Sequence, residues 1–341
     1  MQHTLRNRTR VSQAAVTFTI GVMIAAPSLA DTRVYWQSEQ GEDVSSIKIS
    51  SSTSLVATGG YGGDASARIW NARTGALLDE YPGHETGVVS IDISPDETML
   101  AVGYIRVDFY NAVAKTNVYD IKTHTLLYEF GGAYTSFSAD GSRIVCAGGT
   151  FNRYVNVFEL PSGNEIANFY TGDYIYDMAF SSDGNVVATC AGDSEVVLWD
   201  ATTGTELRRL QADSGGFGTL ALSDDGTKIA AGVTEQYADA TIHMWDIETG
   251  IHIQSFPGHE TGVVYSLDFA PSRFTLMSTG RDVPVGGEHS VRIWSIENGK
   301  QVAIYPFAHS SYGVKCADYA PSGQAAVLGL GNGTIIAAGG R

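Results

Sequence analysis

Short apolar runs of five to seven residues alternate with turn residues along nearly the whole chain, and the 3.6-residue period of helices is almost absent. One stretch shows the plan. Tyr174 to Phe180 reads as a strand and Ser182-Asp183-Gly184 as a turn; Asn185 to Ala191 is a second strand, and Gly192-Asp193-Ser194 turns again. Glu195 to Asp200 follows, then Thr202-Thr203-Gly204, then a fourth strand from Glu206 to Gln211. Gly supplies positive φ in such turns, and Asp or Ser side chains bond their own backbone.

The pattern repeats. Pro82-Gly83-His84-Glu85-Thr86-Gly87-Val88-Val89 returns residue for residue as Pro257 to Val264, 175 positions later. A second marker joins an apolar residue, a small residue and a turn-forming pair, as in Ile93-Ser94-Pro95-Asp96 and Phe180-Ser181-Ser182-Asp183. Its small residue stands at 50, 94, 138, 181, 223, 270 and 320, giving spacings of 44, 44, 43, 42, 47 and 50. A third marker closes the units with an aromatic, as in Val197-Leu198-Trp199-Asp200 and His243-Met244-Trp245-Asp246; the last unit has Ala338 there. Seven units at this period suit seven four-stranded blades.

Gly-His, the Ser-Pro-Asp-like turn and Trp-Asp together resemble the WD40-repeat family, over residues 32–341. The resemblance implies an all-β, seven-bladed propeller of four-stranded antiparallel blades. It also implies a hydrogen-bonded set inside a blade, which unit six matches with His259, Ser278, Asp282 and Trp294. Unit four keeps Thr189, Asp193 and Trp199 but has Asp173 where the His would stand. A His/Ser/Asp trio also invites a catalytic reading. We set it aside, because buried polar groups ordinarily satisfy one another and no Gly-x-Ser-x-Gly elbow supports a nucleophile. No catalytic residue, cofactor or metal site is assigned.

The final unit ends near Gly340 with its fourth strand missing. Thr32 to Gln37 reads as a strand with no other home, and we expect it to pair with Thr334 to Ala338 and close the ring. The first 30 residues read as a secretory signal. Arg6, Arg8 and Arg10 precede a mostly apolar run from Ala14 to Ala26, and Ser28-Leu29-Ala30 offers small residues for cleavage. The expected organisation is a signal peptide at 1–30 and the propeller at 31–341, periplasmic or secreted, with no integral membrane segment in the mature chain.

The chain carries 21 Lys and Arg against 37 Asp and Glu, a net charge of -16. Such a surface repels nucleic acid. Cys146, Cys190 and Cys316 are read as buried free thiols, since neighbouring packed sheets hold equivalent positions too far apart for a bridge. The eight histidines show no zinc-type spacing, and His243 and His252 are read as exposed or sheet-packed residues.

Two places could take a ligand. The d–a and b–c loops share one end of the ring, and several b–c loops are long. They offer Tyr61, Arg106, Phe109, Tyr110, Tyr237, Arg281, Glu288 and His289 as binding-face candidates; loop insertions on one face often mark the binding face. In unit two the insertion could instead extend a hairpin. On the strands that line the centre, Lys48, Asp92, Asp268 and Asp318 occupy equivalent positions. They form either a solvated, mutually neutralised cluster or a weak cation site. The leading functional reading is an exported, non-enzymatic scaffold that binds a protein partner through the loop face. The alternative is an enzyme or small-ligand receptor that uses the central channel.

Overall fold

The computed structural model describes residues 33–339, apart from 63–64, 85, 109–110, 149–152, 192–193, 213–214, 235–239, 260–262, 272–273, 282–288 and 308–312. These residues form seven four-stranded antiparallel sheets. In six sheets the strands follow chain order, a to d. The seventh combines Val314–Tyr319, Ala325–Leu330 and Thr334–Gly339 with Arg33–Glu39 from the start of the chain. Arg33–Glu39 runs antiparallel to Thr334–Gly339, with Arg33 opposite Gly339 and Glu39 opposite Thr334. The molecule is a seven-bladed β-propeller.

Each hydrophobic cluster lies between two neighbouring sheets. Strand c of blade four (Glu195–Asp200) shows how: Val197 and Trp199 join the cluster shared with blade three, while Val196 and Leu198 join the one shared with blade five. Both faces of the sheet are covered, so an apolar run replaces the simple alternation of a half-exposed strand. The junction between blades seven and one is built the same way, from Trp36, Val327 and Ile335 against Val44, Ile47 and Val56. Trp36 also donates its indole N–H to the Ala72 carbonyl at 2.6 Å, and Ser38 donates to the Gly75 carbonyl at 2.5 Å. The first strand is therefore tied to both sheets.

The repeating markers are turn chemistry. Ser94 Oγ donates to Asp96 Oδ1 at 2.7 Å and accepts the Met99 N–H at 2.8 Å, which locks the a–b turn. Ser181 with Asp183 repeats the arrangement, as does Ser223 with Asp225. The Asp after the aromatic marker governs the c–d turn. Asp200 Oδ1 accepts the Thr202 and Thr203 N–H groups at 2.9 and 2.7 Å. Gly204 then closes the turn at φ 69°, a conformation that suits glycine.

Every outer strand carries a β-bulge near its start. In blade four, Trp199 pairs with Glu206 and Leu198 with Arg208, leaving Leu207 unpaired. A bulge twists an edge strand away from flat pairing with another chain. The three cysteines are buried free thiols, as expected.

Candidate functional site

The residues singled out from the sequence fall mainly in two regions: the inner edges of the blades, and the end formed by the b–c and d–a loops.

The innermost strand of each blade leaves backbone N–H groups without a ladder partner. At four junctions an Asp of the preceding blade accepts one of them. Asp92 Oδ2 of blade two accepts the Phe137 N–H of blade three at 2.8 Å. Asp268 Oδ2 accepts from Tyr319 at 2.6 Å, and Asp318 Oδ2 accepts from Ile49 at 2.7 Å. Asp177 does the same for Leu220 at 2.9 Å and also accepts the Thr219 hydroxyl. Lys48 Nζ stands 3.1 Å from Asp318 Oδ1.

The four expected channel residues are thus one group, in which water reaches Lys48 but is largely kept from Asp92 and Asp318. Asp92 and Asp318 are buried, because each carboxylate bridges two blades. Lys48 alone keeps substantial exposure, at 43% of its side chain. Its ammonium pKa is held up chiefly by Asp318, against desolvation, with help from Asp92 and Asp268. Burial raises the Asp268 pKa, and the neighbouring Asp318 charge raises it further. Burial raises that of Asp92 as well. Among the described residues, no group of three or more His, Cys, Asp or Glu is placed to hold a metal ion.

The polar set of blade six is formed by bonded, buried groups. Ser278 Oγ accepts the Trp294 indole N–H at 2.9 Å and lies 3.0 Å from His259 Nε2, while His259 Nδ1 lies 3.4 Å from Ser290 Oγ. His259 and Ser278 have no exposed surface, so no substrate reaches the hydroxyl. In blade four Trp199 donates to Thr189 Oγ1 at 2.9 Å. Asp282 and Asp193 lie outside the described residues. Blade one contains a version that sequence reasoning missed. Trp70 donates to Thr58 Oγ1 at 2.8 Å, and Thr58 donates to Gln40 Oε1 at 2.7 Å. Gln40 stands in for the imidazole; a Gln just before strand a was the available signal.

The loop end takes a different form from the one expected. The insertion of blade two extends the hairpin: Met99–Asp108 and Asn111–Asp120 stay paired out to Asp108 and Asn111. Arg106 sits exposed on that extension, opposite Val113. Tyr61 is exposed and Arg281 half-buried. His289 is a correction. It is buried, its ring stacked on Tyr265 with centroids 6.0 Å apart, so it is packing rather than a surface contact. Phe109, Tyr110, Tyr237 and Glu288 lie outside the described residues.

A cluster the sequence reading passed over lies at the same end, on blades three and four. Tyr154 and Tyr170 face each other across strands c and d of blade three, with ring centroids 5.3 Å apart. The Arg153 guanidinium lies 4.5 Å from the centroid of Tyr174 and donates to the Gly172 carbonyl at 3.0 Å. Tyr154, Tyr170, Tyr174 and Tyr176 are between 37% and 52% exposed. Tyr176 protrudes because a bulge between Ile175 and Asp177 leaves it unpaired.

Comparison with known proteins agrees with this architecture. Residues 33–71, 75–108, 163–200 and 250–295 match the family model described as WD domain, G-beta repeat. The chain is 30% identical over 163 residues to Transcription factor unc-37 of Caenorhabditis elegans, covering 48% of this chain and 24% of that protein. It is 26% identical over 242 residues to a Guanine nucleotide-binding protein subunit beta of Oryza sativa subsp. indica, covering 65% and 59%. With Protein tipD of Dictyostelium discoideum it shares 24% over 301 residues, covering 86% and 46%. The chain therefore spans between about a quarter and three fifths of the length of these relatives.

Proposed function

We propose that the chain, whose residues 33–71, 75–108, 163–200 and 250–295 match the WD-domain model, is an exported, non-enzymatic interaction scaffold that presents the b–c and d–a loop end to a protein partner. One observation carries this reading: four exposed tyrosines, with Arg153 laid on one of them, gather at that end on blades three and four. Tyr and Arg are the residue types that dominate interface energetics, since they combine large buried area with polar handles. The buried His259–Ser278–Trp294 set and the bridging aspartates serve the fold. One relative is named as a subunit, the Guanine nucleotide-binding protein subunit beta, which is compatible with a scaffold.

Export rests on the basic, then apolar, then small-residue pattern of residues 1–30. Cleavage after Ala30 would leave the first strand, Arg33–Glu39, near the new terminus.

Cross-linking in native extract, followed by mass spectrometry, tests the interaction. The full chain and a Tyr170→Ala/Tyr176→Ala variant of equal melting temperature are compared. Cross-links to one dominant protein that the variant loses support the scaffold at this face. Equal recovery of that protein by both chains overturns the assignment of the face.

A further inference from the structure

Blade five brings together two histidines that are nine positions apart in sequence. His243 lies on strand c (Ala240–Asp246) and His252 opens strand d (His252–His259). The antiparallel register sets His243 opposite Ser255 and Trp245 opposite His252. The two imidazoles therefore meet on a diagonal, on the same side of the sheet. His243 Nδ1 stands 3.2 Å from His252 Nε2, and Ser255 Oγ lies 3.3 and 3.2 Å from the same two nitrogens. His252 and Ser255 are exposed and His243 is half-buried, so the group lies at the surface of the blade.

We propose that His243 and His252, assisted by the Ser255 hydroxyl, form a surface site for a divalent late transition-metal ion of the copper, nickel or zinc class. Two imidazole nitrogens bound at about 2.0–2.1 Å to one tetrahedral ion are about 3.3–3.4 Å apart, and about 2.9 Å apart at a right angle. The observed 3.2 Å falls within that range. Two neutral imidazoles at this distance hold one N–H between their facing nitrogens. Binding a cation moves that proton, through solvent, to the other nitrogen of the same ring, so both rings carry their N–H on the far side and both facing lone pairs go to the cation. Imidazole suits copper, nickel and zinc, and poorly suits calcium or magnesium, which favour oxygen ligands. Two protein nitrogens form a chelate, and water fills the remaining positions. The affinity order follows the general preference of nitrogen sites, with copper ahead of nickel and zinc.

The same blade supplies a reporter. The Trp245 ring centroid lies 5.8 Å from that of His243 and 5.7 Å from that of His252. Paramagnetic copper or nickel at the pair quenches indole fluorescence at that range.

The test uses the chain without residues 1–30 and without a histidine tag, titrated with copper, nickel and zinc chlorides by calorimetry and by tryptophan fluorescence. One ion per chain is expected, with quenching by copper and nickel. His252→Gln weakens binding at least about tenfold, the factor that loss of even an outer partner of a metal ligand produces. His252 is exposed, so this variant keeps its melting temperature; His243→Gln is the second probe. No binding at millimolar ion, or full affinity retained in His252→Gln, overturns the proposal.

Discussion

Asp318 in the seventh blade accepts the backbone N–H of Ile49 in the first at 2.7 Å, while its other oxygen meets Lys48 at 3.1 Å. One carboxylate thus joins the last blade to the first and neutralises the channel's cation. Asp268 and Asp92 repeat the backbone half of this arrangement at other junctions. An inner strand edge that would otherwise expose donors is covered by the neighbouring blade.

Removing the cation should expose the cost of burying the carboxylates. Lys48→Met leaves Asp318, Asp268 and Asp92 without their counter-charge. We expect a loss of about 1–3 kcal/mol, below the 3–5 kcal/mol of a fully buried pair because Lys48 is partly exposed. The raised Asp268 and Asp92 carboxyls are protonated more readily in acid, so the loss in melting temperature is larger at pH 8 than at pH 5. Equal losses at both pH values would sink this account.

Ser278 satisfies a buried indole and a buried imidazole together. Ser278→Ala leaves both without that partner and should cost about 1–3 kcal/mol for each donor stranded. Ser278→Thr keeps the hydroxyl and should recover most of it, as Thr189 and Thr58 do in their blades. Chemical denaturation of the two variants separates a bonded set from mere packing.

Two buried groups give opposite pH dependences. Burial holds the His84 imidazole down to about 4, from 6.5, and pushes the Asp177 carboxyl up to about 6, from 3.8. Between pH 6.5 and 4 the unfolded chain takes up a proton at His84 that the folded chain refuses, so stability falls as pH falls. The full effect is on the order of 3 kcal/mol. Asp177 works the other way, since the folded chain binds its proton first and gains stability as pH falls from 6 towards 4. From pH 7 to 4.5, Asp177→Asn should therefore lose melting temperature more steeply than the parent, and His84→Gln less steeply. Parallel slopes would remove both assignments.

The strand Arg33–Glu39 contributes Trp36 to the core between blades seven and one. We predict that deleting residues 31–40 causes cooperative loss of the native near-ultraviolet signal, because it uncovers a sheet edge and empties an indole-sized site. A melting temperature unchanged by the deletion would show that the ring does not depend on this strand.

Much of the architecture could be read directly from the sequence, because each marker acts locally. Ser181, Asp183 and Gly184 make a turn whatever lies beyond it, and Asp200 bonds the two threonines that follow it. Repetition at a constant period then fixes seven sheets, and sheets with two apolar faces must stack on one another. Tyr154 and Tyr170, by contrast, become neighbours only once the register of two strands is set, as do His243 and His252. The channel residues could be aligned in sequence, yet whether they were solvated could not, since the partners of Asp318 are Lys48 and Ile49 from the far end of the chain. Burial of His289 depends likewise on Tyr265, from another strand of its blade. Periodicity and turn chemistry are properties of neighbouring residues and survive in a linear reading; exposure, pairing and charge compensation are properties of surfaces that exist only after the chain has closed on itself.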